Sequence, residues 1–308
     1  MQTSFNSKSL LIRILFGAMF LGALLWIASQ NINLQQLLQP WQALPYQTLL
    51  LMIAIMALSY TIRSIRLYDY FNMQRNDFLL CLKITLQHNM YNNLLPMRSG
   101  ELSFPVLLKH FFKLDIRQSA SALLWFRLLD LYCLFIFSIY LLQWWLGASS
   151  VITLLILILP LPWLLFHYQT SFFSRLQNLL PTRFGNTVEK LHQGLPQHQK
   201  AFWRSLFWSF FNWLLKLGLL AWFLTLFSPM PLSAAWFGAI GGDLSSVLPI
   251  HGIAGFGTYE AGVAAGLALF KLAPQAILQA AINLHLFILG MSIISGLLSF
   301  LIRRKSHG

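Results

Sequence analysis

Asn93-Leu94-Leu95-Pro96-Met97-Arg98-Ser99-Gly100-Glu101 interrupts an apolar run that extends from Phe78 to about Leu108. The charges around that run decide how it crosses a bilayer. Arg63, Arg66 and Arg75 precede it, and Lys109, Lys113 and Arg117 follow it. Basic residues between apolar segments mark the cytoplasmic side of a membrane protein. A segment that begins and ends on one side crosses an even number of times. The run is too short for two comfortable spans of about 20 residues each. The expected element is a re-entrant hairpin entering from the cytoplasm, with its tip at Pro96–Glu101.

Working outward, six stretches are long and apolar enough to span: roughly 10–28, 46–62, 119–146, 150–167, 205–228 and 276–302. A second broken stretch, Leu232 to Phe270, is interrupted at Pro249-Ile250-His251-Gly252. Basic residues continue at Arg175, Arg183, Lys190, Lys200 and Arg204 and at Arg303, Arg304 and Lys305, whereas linkers 29–45, 147–149 and 229–231 carry no charge. The basic segments are therefore expected inside, the neutral ones outside, and both termini in the cytoplasm. The second broken stretch then starts and ends outside, a hairpin entering from the opposite face.

Each half thus reads span, span, hairpin, span, once starting inside and once outside. This is an inverted-topology repeat, the plan of many secondary transporters. The expected fold is an all-α polytopic membrane protein of about six transmembrane helices and two re-entrant hairpins. It forms one membrane domain over 1–308, with a first half at 10–146 and a second at 150–302. The tips echo each other: Asn93-Leu94-Leu95-Pro96 leads to Gly100-Glu101, and Ser246-Val247-Leu248-Pro249 leads to Gly257-Thr258-Tyr259-Glu260.

Composition supports a membrane setting. Of 308 residues, 57% are hydrophobic and only 9% are Asp, Glu, Lys or Arg, against about 25% charged in soluble domains. Such a chain cannot cover a water-facing surface. The net charge of +13 is spread between apolar segments and forms no single stripe, so it points to anionic lipid rather than nucleic acid. Lys8 and Arg13 before the first apolar run resemble a signal peptide, but the run to Ala28 is long and lacks a convincing cleavage site; an uncleaved first span is expected. Cys81 and Cys133 sit in apolar sequence and read as packing residues. No His-x-x-x-His pair is present, so no metal site is expected. No nucleotide-binding loop or other cofactor motif is visible. The basic, partly apolar stretch 168–203 fits either an amphipathic surface helix or an ordinary loop.

An ionised side chain at mid-bilayer costs about 3 kcal/mol on insertion scales, so each is a functional candidate. The candidates are Lys83, Arg98, Glu101, Arg127, Asp130, Lys216, Asp243 and Glu260. Arg127 and Asp130, three apart, share a helix face; either they neutralise each other, a structural role, or Arg127 also faces the cavity. Arg98 and Glu101 flank Gly100 at a broken helix end, where unpaired N–H groups favour anions. Arg98 there reads as a phosphate clamp, or as a partner pinning Glu101 or Glu260. Glu260 is either a protonatable coupling group or the counter-charge to Arg98 or Lys216. Lys216 is expected to pair with Asp243 or Glu260. Gly255 and Gly257, in the glycine-rich segment beginning at His251, permit a tight, backbone-exposed turn. His285 reads as a hydrogen-bonded packing residue. Gly238…Gly242 and Gly262…Gly266 read as close-packing steps.

Asn93-Leu94-Leu95-Pro96-Met97-Arg98-Ser99-Gly100-Glu101, then Arg127-Leu128-Leu129-Asp130, then Leu248-Pro249 leading to Gly255-Phe256-Gly257-Thr258-Tyr259-Glu260 resemble, in this order and spacing, the lysylphosphatidylglycerol synthase transmembrane-region family, also called flippase-like domain proteins. The resemblance covers roughly 10–302. It implies a lipid-handling bundle with re-entrant elements and, as function, a lipid flippase of the bacterial inner membrane. The best-known members also carry a soluble synthetase domain. The sequence ends at Gly308 without one, which implies a stand-alone member that makes no lysyl-lipid itself. Other stand-alone members resemble partners of cell-envelope glycosyltransferases. Phe104 stands where a second basic residue is expected, and Asn283 and His285 stand where the last span often has an Arg. Three readings follow: a transporter for a lipid with a phosphate head group, a membrane-embedded enzyme of lipid or glycan synthesis, and a non-catalytic partner of such an enzyme. No nucleophile–base pair is visible, so transport is the expectation.

Overall fold

The computed structural model describes residues 34–247 and 253–302, and every described element is helical. The predicted span at 10–28 and His251 lie outside the described residues. Contacts divide the chain into a unit ending at Leu49 and a unit beginning at Leu50. The first contains α1 (Leu34–Ala43), which carries Pro40 inside it, and the opening turn of α2 (Tyr46–Tyr70). The second contains the remainder of α2 and all that follows.

The second unit continues with α3 (Phe78–Leu94), a 3-10 turn over Pro96–Leu102, α4 (Ser103–Phe112), α5 (Ile116–Leu141) and the single turn α6 (Gln143–Leu146). Then come α7 (Ala148–Ile158), α8 (Leu161–Leu179), α9 (Gly185–Gln193), α10 (Gln199–Phe227), α11 (Leu232–Ser245), α12 (Thr258–Leu267) and α13 (Pro274–Ser299). Among the described residues, five helical segments are long and apolar enough to cross a membrane: α2, α5, α7 with α8, α10 and α13. Each overlaps one of the five predicted spans that fall within the described residues, with α2 and α8 running well past the predicted ends.

The first broken stretch folds as two helical arms, α3 and α4, packed on each other. Leu95 is extended (φ −83°, ψ 138°) ahead of Pro96, as the steric demand of the proline ring requires. The chain then turns back so tightly that a Cβ on Gly100 would lie 2.2 Å from the Tyr91 carbonyl oxygen. Only glycine fits there.

The second broken stretch also folds as two arms, α11 and α12, which pack on each other more extensively than any other helix pair among the described residues. Their seam is lined with glycine. A Cβ on Gly241 would lie 2.2 Å from the Gly262 oxygen, and one on Gly266 would lie 2.1 Å from the Phe237 oxygen. Small residues at this spacing let helix backbones touch.

α13 lies against α3, where Gly296 accommodates Met90, and the two hairpin tips touch each other. α5 packs against α4, α9 and α10. Leu67, Cys81, Ile84, Leu108, Trp125 and Phe126 form a buried cluster that also takes in Phe104. The position where a basic residue was expected is therefore core: Phe104 meets His88 and Phe126 edge-on. By contrast, α7 and α8 leave most of their apolar side chains uncovered, with 11% of the span buried against 33–50% in the others. In a membrane protein, lipid covers such a face.

Most of 168–203 is helical, so the loop reading does not hold. The segment is helical at both ends, and α9 is amphipathic with Val188 buried against its neighbours. α5 begins beside it. Asp115 caps that helix by accepting from the Arg117 amide at 2.8 Å. Partial desolvation acts against the charged form, but the amide and guanidinium of Arg117 and the amide of Gln118 together hold the Asp115 carboxyl below its ordinary value of 3.8.

Candidate functional site

α2 is the element that departs most from expectation. The apolar stretch was read as ending near residue 62, with Arg63 and Arg66 as loop charge. The helix instead runs on to Tyr70, a length of about 37 Å at 1.5 Å per residue. Both arginines therefore project from a helix into the bundle.

Arg66 is buried and donates to Asp130 Oδ1 at 2.6 Å, to Asp130 Oδ2 at 3.5 Å and to Ser209 Oγ at 2.6 Å. Its guanidinium also lies 4.4 Å from the Phe126 ring centre. Trp213 Nε1 donates to Asp130 Oδ1 at 3.0 Å. Asp130 is thus held chiefly by Arg66, and Arg127 reaches it only at 3.9 Å. The anticipated Arg127–Asp130 pair is present but secondary, and Arg127 also faces the cavity described below. The local spacing is right, but a partner 64 residues away in sequence is better placed.

Arg127 turns instead to Glu101, with Nε 2.9 Å from Oε1. Its N–H is not aligned for a hydrogen bond, and Nε and Nη2 are buried without a hydrogen-bond partner. Arg98 donates to the same Glu101 oxygen and, across the gap between the hairpins, to the Val247 carbonyl. Arg98 sits at φ 55°, a left-handed conformation that costs a non-glycine residue about 1–2 kcal/mol. The two contacts hold it there. The first tip is thereby tied to the second by a side chain whose charge is only partly neutralised.

At the second tip, Gly255 and Gly257 take φ 77° and 82°, and α12 starts immediately afterwards. Glu260 folds back to accept from the Gly257 amide at 2.8 Å, a favourable contact at a helix N-terminus. Its other oxygen meets His285 Nδ1 at 2.6 Å. The His285 ring stands between Phe256 and Tyr259, with ring centres 5.0 and 4.8 Å away. The expected counter-charge, Arg98 or Lys216, is not the partner of Glu260. Lys216 bonds Asp243 at 2.7 Å, one of the two pairings anticipated for it. Lys83 lies outside this cluster, donating to the Ile302 carbonyl at 2.8 Å.

These groups surround one cavity of about 90 Å³ at the meeting point of the two hairpins. Of the predicted site residues, Arg98, Arg127, Asp130, Lys216, Asp243 and His285 line it. Glu101 and Glu260 stand behind the lining and hold Arg98, Arg127 and His285, while Gly100, Gly255 and Gly257 shape the tips. The sequence reading missed Tyr60 and Arg63 on α2, Asn89, Asn92 and Asn93 on α3, and Asn212 on α10, all of which line the cavity. A signal was present: Asn89, Asn92 and Asn93 stand at i, i+3 and i+4, one face of an apolar helix.

A family model described as the lysylphosphatidylglycerol synthase TM region matches residues 10–296. The chain belongs to this family. The match extends over both hairpins and all five long helices. Together with the five apolar helices it makes this a multi-pass membrane protein of a lipid-handling family. No curated protein and no solved structure matches the chain.

Proposed function

We propose that the protein is a lipid flippase of the bacterial inner membrane. On this reading it moves a phospholipid, aminoacyl-lipid or polyprenyl-linked glycolipid, with its head group in the cavity between the hairpin tips and its acyl tails in the bilayer. The observation that carries the reading is the placement of Arg63, Arg98 and Arg127 on one cavity where two broken helices meet, inside a bundle whose outer faces are apolar. Arginine matches phosphate oxygens in both geometry and charge. Discontinuous helices meeting at a polar site are the recurrent device of secondary transporters.

On this proposal the two hairpins are re-entrant from opposite faces, the halves 10–146 and 150–302 form an inverted repeat, and both termini are cytoplasmic. Rocking of the halves opens the cavity to one leaflet and then the other. The Arg98–Val247 contact between the tips breaks and re-forms as it does so. The protein performs no covalent chemistry in this scheme, and an envelope glycosyltransferase is the partner that uses the delivered lipid. The test is a reconstituted flipping assay with Glu260→Gln. Loss of the buried charge that orients His285 is expected to reduce the flipping rate at least tenfold with insertion unchanged. A wild-type rate in this variant contradicts the role given to the second tip.

A further inference from the structure

The cavity's charges do not cancel, and the imbalance narrows what it can hold; this inference rests on the transport reading and makes its substrate more specific. Among the described residues, the carboxylates around the cavity are Glu101, Asp130, Asp243 and Glu260, and each is held by a partner: Arg98 with Arg127, Arg66, Lys216, and His285 with the Gly257 amide, respectively. The cations are Arg63, Arg66, Arg98, Arg127 and Lys216, one more than the carboxylates. Arg63 lines the cavity and, among the described residues, has no carboxylate within ion-pair distance; Asp130, already held by Arg66, attracts it only from farther away. A head group bearing an ammonium therefore meets surplus positive charge, and the buried carboxylate oxygen that lacks a donor, Asp243 Oδ2, belongs to a carboxylate that Lys216 already neutralises. A phosphodiester with no amine brings the one negative charge that is missing.

The wall beside these charges calls for a second feature. Asn89 is buried, and its Nδ2 has no acceptor; Asn92 Oδ1 is buried and has no donor. A buried amide left unsatisfied is destabilising by more than a formed hydrogen bond contributes. A phosphodiester offers acceptors only, so it leaves Asn92 Oδ1 unsatisfied. A hydroxyl both donates and accepts, and neighbouring hydroxyls satisfy both amides at once.

We propose that the cavity selects a lipid whose head group carries a net negative phosphodiester and free hydroxyls, a polyol or sugar phosphate, over zwitterionic and aminoacylated head groups. Arg63 takes the phosphate, with Arg127 Nη2 as a second donor, and Asn89 and Asn92 take the hydroxyls.

The test is native mass spectrometry of the full chain in detergent with an equimolar mixture of phosphatidylglycerol, phosphatidylmethanol, phosphatidylethanolamine and lysylphosphatidylglycerol of matched acyl chains. Phosphatidylmethanol keeps the charge and lacks the diol. Phosphatidylglycerol is expected to be retained about tenfold over each of the others. Asn89→Ala removes its advantage over phosphatidylmethanol alone, and Arg63→Gln removes its advantage over phosphatidylethanolamine. Equal retention of phosphatidylglycerol and phosphatidylmethanol by the wild type overturns the hydroxyl assignment, with water then satisfying the amides. Equal retention of all four, or preference for an amine-bearing lipid, overturns the selectivity and leaves a head-group site standing. Retention of no lipid overturns the selectivity and the head-group site together. Should either variant fail to insert, the wild-type competition alone decides.

Discussion

Replacing Asp130 by Asn keeps the shape of the side chain and removes its charge. In the wild type the carboxylate accepts two hydrogen bonds from Arg66 and one from Trp213, and both Asp130 and Arg66 have side chains only 6% exposed. The variant leaves Arg66 charged and enclosed, with a neutral amide in place of the carboxylate beside Ser209 and the face of Phe126. It also raises the positive excess around the cavity by one. Breaking a buried ion pair from one side costs about 3–5 kcal/mol. Arg66 keeps Ser209, the Phe126 face and the amide oxygen at position 130, so the lower end, about 3 kcal/mol, is expected. The assay is reversible unfolding in mixed detergent micelles, with Asp130→Asn measured beside a double-mutant cycle of Asp130→Leu, Arg66→Met and the double variant Arg66→Met/Asp130→Leu. Replacing both partners by apolar groups of similar volume is commonly near neutral, so the double variant should be more stable than Asp130→Asn. Two results refute the reasoning: a cost below about 0.5 kcal/mol for Asp130→Asn, or strict additivity in the cycle.

Other expectations follow from the packing and the caps. Gly262→Ala drives a Cβ to 2.5 Å from the Gly241 oxygen and from Ser245 Cβ; separating α11 from α12 should cost about 1–3 kcal/mol, read as a lower unfolding midpoint. Gly185→Ala, where a Cβ meets nothing within 4 Å, should leave the midpoint unchanged or raise it slightly. Asp115→Ala removes the α5 cap and should cost about 1 kcal/mol. Because the Asp115 carboxyl is held below 3.8 in the folded chain, its contribution is complete above the ordinary aspartate range and is lost only as pH falls through the lowered value. Wild type and variant should therefore converge in strong acid, which unfolding measured across pH will show.

The sequence made the long helices and the two breaks legible because their signals are local. An apolar run of span length, a proline and a glycine-lined seam each need only neighbouring residues to be read. Charge pairing was less legible, because it is decided across the bundle. Asp130 sits three residues from Arg127, yet Arg66 on α2 holds it. Of the two readings of Glu260, the counter-charge to Arg98 or Lys216 is not found; its partner is His285, which the sequence marked as a hydrogen-bonded packing residue without naming what it bonds. Arg63 and Arg66 were hidden by a sound rule: basic residues at the end of an apolar run usually stand in a loop, but here the helix continues for two further turns to Tyr70. The asparagines of α3 were passed over because a search for costly charges does not register neutral amides, although their one-face spacing was in plain view.

Whether the cavity between the hairpin tips carries a lipid head group across the membrane is decided by a dithionite-quenching assay of fluorescent phosphatidylglycerol in liposomes holding the full chain or Arg98→Ala. Arg98 bridges the tips through Glu101 and the Val247 carbonyl. The account predicts that wild-type protein exposes inner-leaflet lipid to the quencher well above the rate of empty liposomes and that Arg98→Ala, inserted to the same level, falls to the empty-liposome rate. Equal rates for wild type and Arg98→Ala contradict the hairpin-tip site, and a wild-type rate no faster than empty liposomes contradicts transport of this lipid.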